Sequence, residues 1–151
     1  KFTTQARALE KRRLLAKISQ NDLDYNERPK KAFLSPTTKG NGAAKYLDTW
    51  RKKLVQTGNS NYPVQIKAKD LQDTLIVSVE IKRNGTINKI RILKKSKHKL
   101  LNDAALRIIR DASPFEAFPD AEYFKTVDIL VITRSIHFLP DNTFNSTSAA
   151  L

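Results

Sequence analysis

The chain has 151 residues, 40% of them hydrophobic and 28% charged, and its 28 Lys/Arg against 15 Asp/Glu give a net charge of +13. That is enough for one domain with a core and an attraction to anionic partners. With 0 Cys it excludes disulfides, thiolate metal sites and cysteine nucleophiles, and no apolar run reaches the roughly 18 residues a membrane span needs. The charge is uneven, with a net +9 on residues 1–53 and +4 on 54–151. The chain contains 0 Met and opens on Lys1, so it is expected to be a piece of a longer protein, with any anchor or targeting segment lying elsewhere.

Residues 3–20, TTQARALEKRRLLAKISQ, place Ala6, Leu9, Leu14 (or Leu15) and Ile18 at roughly helical spacing, which predicts a basic amphipathic helix. Residues 21–42 read as a connector broken by Pro29, Pro36, Gly40 and Gly42, with Phe33 and Leu34 in an extended context. Over 43–57 a second helix gathers Ala43, Tyr46, Leu47, Trp50 and Leu54 on one stripe, and Gly58 stands where a left-handed residue would end it. Then comes GNSNYP, residues 58–63, a turn closed by an aromatic against a proline.

Residues 74–82, TLIVSVEIK, alternate as a half-buried strand, with Leu75, Val77, Val79 and Ile81 on one face. Asn84-Gly85 predicts a two-residue type I′ turn, with positive φ at both positions. The returning strand carries Ile87, Ile90 and Ile92, whose parity changes partway and predicts a bulge. Residues 98–112 form a helix with a broad apolar face that includes Ala105, ended by Ser113-Pro114. SPFEAFPD is a loop with Phe115 and Phe118, 126–138 a long last strand, and 141–151 a Ser/Thr/Asn-rich tail expected to be flexible.

The expected fold is α+β: a three-stranded antiparallel sheet of order 2-1-3 packed by two helices over residues 43–140, preceded by a basic helix and linker over 1–42. Tyr46, Trp50, Ala105, Phe115 and Phe118 are its expected core markers. In that order strand 126–138 is an edge, with a free row of N–H and C=O groups.

Catalytic chemistry finds no candidate. His98 and His137 lie far apart and in no ligand spacing, no glycine-rich phosphate loop exists, and the carboxylates are scattered. No metal or cofactor is expected, and the protein reads as a non-enzyme. Lys82, Arg83, Lys89, Arg91, Lys94, Lys95, Lys97 and Lys99 could meet phosphates, but no stacking motif or helix-turn-helix accompanies them, which disfavours nucleic acid.

Taken together, Tyr46 and Trp50, then GNSNYP, Asn84-Gly85, LLNDAALRIIRDASPFEAFP at 100–119 and DILVITRSIHF at 128–138 resemble the C-terminal domain of TonB-family energy transducers. The resemblance covers about residues 43–139, and ERPKKAFLS at 27–35 is similar to the segment preceding the domain in a longer branch of the family. It implies a periplasmic domain of an inner-membrane-anchored protein. Such a domain grips the TonB-box peptide of an outer-membrane TonB-dependent transporter by strand addition, and a missing N-terminal part couples it to an ExbB/ExbD-like proton-driven complex.

The implied peptide-binding residues, acting mainly through backbone, are Asp128, Ile129, Leu130, Val131, Ile132, Thr133 and Arg134, with Tyr62 and Pro63 as adjacent surface. A homodimer through an exposed edge is a further expectation. So is a basic dimerising scaffold, or a module for nucleic acid or an anionic envelope polymer. The sequence departs from the family pattern at Asp73, where Gly is frequent, at Ser96-Lys97, where Ser-Gly is frequent, and at Ile136, where Trp is common.

Overall fold

The computed structural model describes residues 4–149, with side chains for all of these except 16–27. The chain runs through α1 (Thr4–Glu27), β1 (Lys31–Leu34), α2 (Ala43–Ser60), α3 (Val64–Ala68), β2 (Asp73–Lys82), β3 (Ile87–Lys94), α4 (Lys99–Ala112), β4 (Ile129–Phe138) and β5 (Phe144–Ser148). Leu9, Leu14 and Leu15 on α1 are more than half exposed, while Ile18 lies outside the described side chains and Thr3 outside the described residues.

The sheet has five strands rather than the expected three, and it is mixed. Its order is β1-β4-β2-β3, with β5 also pairing β4. The long β2–β4 ladder, from Asp73 opposite Phe138 to Lys82 opposite Ile129, is its spine. On the other side of β2, β3 pairs antiparallel with register shifts at Ile76/Val77 and Glu80/Ile81, which gives the predicted change of parity a physical form.

The hairpin turn differs from the expectation. Gly85 has φ 86°, but Asn84 is not among the positive-φ residues. Lys82 accepts from the Gly85 N–H at 2.8 Å and donates to the Thr86 carbonyl at 2.9 Å. This is a three-residue loop with one left-handed glycine, so a single positive φ suffices. A Cβ on Gly85 would lie 2.0 Å from the Phe115 carbonyl oxygen, because the turn packs backbone to backbone on the 113–119 loop. There Phe115 and Phe118 donate N–H bonds to the carbonyls of Gly85 and Arg83, at 2.8 and 2.9 Å.

Alternation along β2 and β4 turns Leu75, Val77, Val79, Ile81, Leu130, Ile132, Ile136 and Phe138 towards the helices, and all are buried. α2 and α4 supply the other layer. Tyr46, Trp50, Ala105 and Phe115 are buried and Phe118 is partly so, with Trp50 stacked on Phe115 at 5.1 Å between centroids. Burying side chains of this size contributes about 1.5–3 kcal/mol each before entropy is counted.

Gly58 does not end α2. The helix continues to Ser60, and Gly58 is buried within it. A Cβ there would meet Phe144 at 2.5 Å, so the glycine clears space for a ring from β5.

Candidate functional site

The expected free edge along 126–138 is filled. β1 runs parallel to β4 from Lys31 opposite Ile129 to Leu34 opposite Ile132. β5 runs antiparallel from Arg134 opposite Ser148 to Phe138 opposite Phe144. The reason is that segments read as linker and tail carry extended backbone of their own. Any strand in their reach can satisfy the outward N–H and C=O groups of β4.

Side chains fix both covers. Lys30 N–H donates to the Asp128 carboxylate at 2.9 Å, and the N–H groups of Asp128 and Ile129 donate back to the Lys30 carbonyl at 2.9 and 3.1 Å. Lys31 Nζ reaches Glu80 at 3.3 Å, and Glu80 also accepts from Asn88 at 2.9 Å. Burial opposes the charge on Glu80, but the bonds from Asn88 and Lys31 hold its carboxyl below the usual range. The Lys30 N–H, followed by Arg83, does the same for Asp128. At the other end, the Asn59 amide donates to the Phe144 carbonyl at 2.9 Å and accepts from its N–H at 2.7 Å, pinning β5 to α2.

β1 is nevertheless a light cover. It has four residues, Phe33 is 73% exposed, and only Leu34 is buried. Residues Asp128–Arg134 thus form one continuous run, with Ile129–Ile132 under β1 and Arg134 at the start of the β5 pairing.

Tyr62 and Pro63 stand elsewhere. Pro63 opens α3, and the Tyr62 ring packs edge-on against Phe138 at 6.2 Å, at the far end of β4 from Asp128. The Tyr62 hydroxyl is buried without a partner among the described residues, and burial, then Asp141, raises its pKa.

His137 bridges three strands, with Nδ1 2.9 Å from the Thr74 hydroxyl and Nε2 2.7 Å from that of Thr147. Among the described residues no group of three or more His, Cys, Asp or Glu could hold a metal ion. All eight basic residues from Lys82 to Lys99 named above are exposed.

The family departures also acquire a geometry. Asp73 accepts from the Lys97 N–H at 2.7 Å and the Thr74 N–H at 2.8 Å, so two of them meet each other. Ser96 binds the Asn102 side-chain oxygen through both its N–H and its hydroxyl, at 2.8 Å each, fixing the approach to α4.

Sequence reasoning missed Asn59, Lys30 and the side chain of Arg134. For Arg134 a signal was present. The alternation of ILVITRSIHF puts it in line with Ile132 and Ile136, on the helix side of the sheet.

Helices packed on one face of a mixed sheet, with a strand edge covered by short segments, define a small α+β domain built around extended-chain pairing. The chain belongs to the TonB C-terminal family: the family model for the Gram-negative bacterial TonB protein C-terminal matches residues 58–138. Its fold is similar to the NMR solution structure of the Helicobacter pylori TonB C-terminal domain, with a TM-score of 0.50 at 19% identity, covering 68% of this chain and 83% of that one. No curated protein matches the chain. No helix among the described residues is long and apolar enough to cross a membrane.

Proposed function

We propose that this domain is the periplasmic, peptide-gripping part of a TonB-like energy transducer. It takes the TonB box of an outer-membrane transporter as an added strand along Asp128–Arg134, and a preceding inner-membrane part links it to an ExbB/ExbD-like motor. One observation carries the reading. The outer edge of β4 already accepts an extended segment, β1, over four residues, and that segment buries a single side chain. Backbone pairing of this kind tolerates varied side chains, which suits a short peptide ligand. Since β1 occupies Ile129–Ile132, the peptide exchanges with it rather than meeting an open edge. Tyr62 and Pro63 serve the docked chain only where it extends towards Phe138. The role is binding, not catalysis.

The test is NMR titration with TonB-box peptides. Expected are amide shifts at Ile129–Arg134 together with loss of the β1 pairing at Lys31–Leu34. Shifts confined to the Lys82–Lys99 hairpin, and abolished by moderate salt, would replace this reading with binding of an anionic envelope polymer, which the exposed basic hairpin favours as the second possibility.

A further inference from the structure

Arg134 occupies a position that alternation reserves for the core. It lies between Ile132 and Ile136 on the helix side of β4 and is only 4% exposed. A buried guanidinium is costly unless a partner replaces its water. Its Nε donates to the Ser146 hydroxyl at 3.1 Å and its Nη2 to the Ser146 carbonyl at 3.0 Å. Nη1 makes no hydrogen bond to a described residue, and among the described residues no carboxylate lies within ion-pairing distance of Arg134.

Arg134 lines a solvent-connected cavity of about 500 Å³ between α2 and β5. Arg51 stands on the α2 wall of the same cavity, close enough that its charge, after burial, pulls the Arg134 pKa down. The nearby acid, Asp48, is already engaged by Arg51 at 3.3 Å and Lys52 at 2.9 Å. Two guanidiniums therefore share a partly apolar cavity whose lining carboxylate, Asp48, is taken up by Arg51 and Lys52 and makes no ion pair with Arg134. Arg forks match a carboxylate in two-point fashion.

The geometry points to this cavity as a receptor for a single carboxylate on a short aliphatic stem, that is, a glutamate or aspartate side chain of a bound acidic peptide. Pro36, Ala44 and Leu47 give the stem an apolar wall. Asp48, which also lines the cavity, repels a dianion such as a phosphate monoester more than a monoanion. The site uses the Arg134 side chain on the helix side of the sheet and not the backbone edge at Ile129–Ile132, so it stands whether or not that edge binds a TonB box.

The test titrates the full 151-residue chain with the capped peptide acetyl-Ala-Glu-Ala-amide and its Gln counterpart, read by NMR at the Arg134 and Arg51 Nε–H signals and the Ser146 amide. The Glu peptide is expected to move all three, and to bind at least about tenfold more tightly than the Gln peptide, as loss of a charge-assisted pair requires. Arg134→Gln is expected to abolish the difference. Because that variant also loosens β5, Arg51→Gln decides the matter: among the described residues Arg51 bonds only Asp48, so β5 stays in place while the preference for Glu falls about tenfold. Equal shifts with both peptides, an unchanged preference in Arg51→Gln, or shifts confined to the Lys82–Lys99 hairpin would each overturn the assignment.

Discussion

Gly58 shows how one residue can be read correctly as special and wrongly as to why. A glycine at the end of an apolar stripe normally marks a left-handed helix stop. Here it remains helical, and the missing Cβ makes room for Phe144, whose ring would stand 2.5 Å away. No local pattern carries that information, since it depends on a segment at the far end of the chain. The two accounts predict opposite signs for Gly58→Ala. Propensity alone would stabilise the helix by about 1 kcal/mol. Overpacking against a buried ring costs about 1–3 kcal/mol. Phe144 is 1% exposed and also packs edge-on against Phe138 at 5.5 Å, so it has little room to yield. The variant is therefore expected to be destabilised by about 1–2 kcal/mol, seen as a lower urea midpoint at unchanged slope. Arg134 was the more legible case, because alternation alone puts it on the buried side.

Among the elements, the long ones were plain in the sequence and the short ones were not. α2, β2, α4 and β4 bury enough apolar surface at regular spacing to announce themselves. β1 and β5, with four and five residues, follow other rules. They are strands because β4 offers them backbone partners, and their own composition reads as linker and tail. Their retention consequently rests on a few specific bonds. For β5 the Asn59 amide matters most, since its two bonds to Phe144 imitate a neighbouring strand. Asn59→Ala leaves the outward N–H and C=O of Phe144 unpaired and is expected to cost about 1 kcal/mol. Hydrogen exchange locates the effect: amides of Asn145–Ser148 lose protection while those of β2 keep theirs. Equal loss throughout the sheet would show instead that β5 and the core open as one unit.

For the molecule as a whole, the consequence is that β4 is an interior strand whose outer neighbours hold on by unequal means. β1 depends on charge. Asp128 takes the Lys30 N–H, and Glu80, with its side chain 8% exposed, takes Lys31. Both carboxyls are held below their usual range in the fold, by the Lys30 N–H and Arg83 for Asp128 and, against burial, by Asn88 and Lys31 for Glu80. The folded form thus resists protons that the unfolded or detached form accepts at about pH 4. The contribution is complete above that value and is lost as pH falls through the depressed folded values. Detachment of β1 needs less than global unfolding, because Leu34 is its single buried side chain. Acidification from pH 6 to pH 3 is therefore expected to expose Lys31–Leu34 to hydrogen exchange before β2 and the β2-facing side of β4 open. A double change of Asp128→Asn and Glu80→Gln should produce the same exposure at pH 6 and remove its pH dependence. If β1 in the double variant still responds to acid as the parent does, other groups hold it. In the expected case the edge Ile129–Ile132 is uncovered, and under the proposed function, in which a peptide exchanges with β1 there, peptide affinity should rise in the same variant.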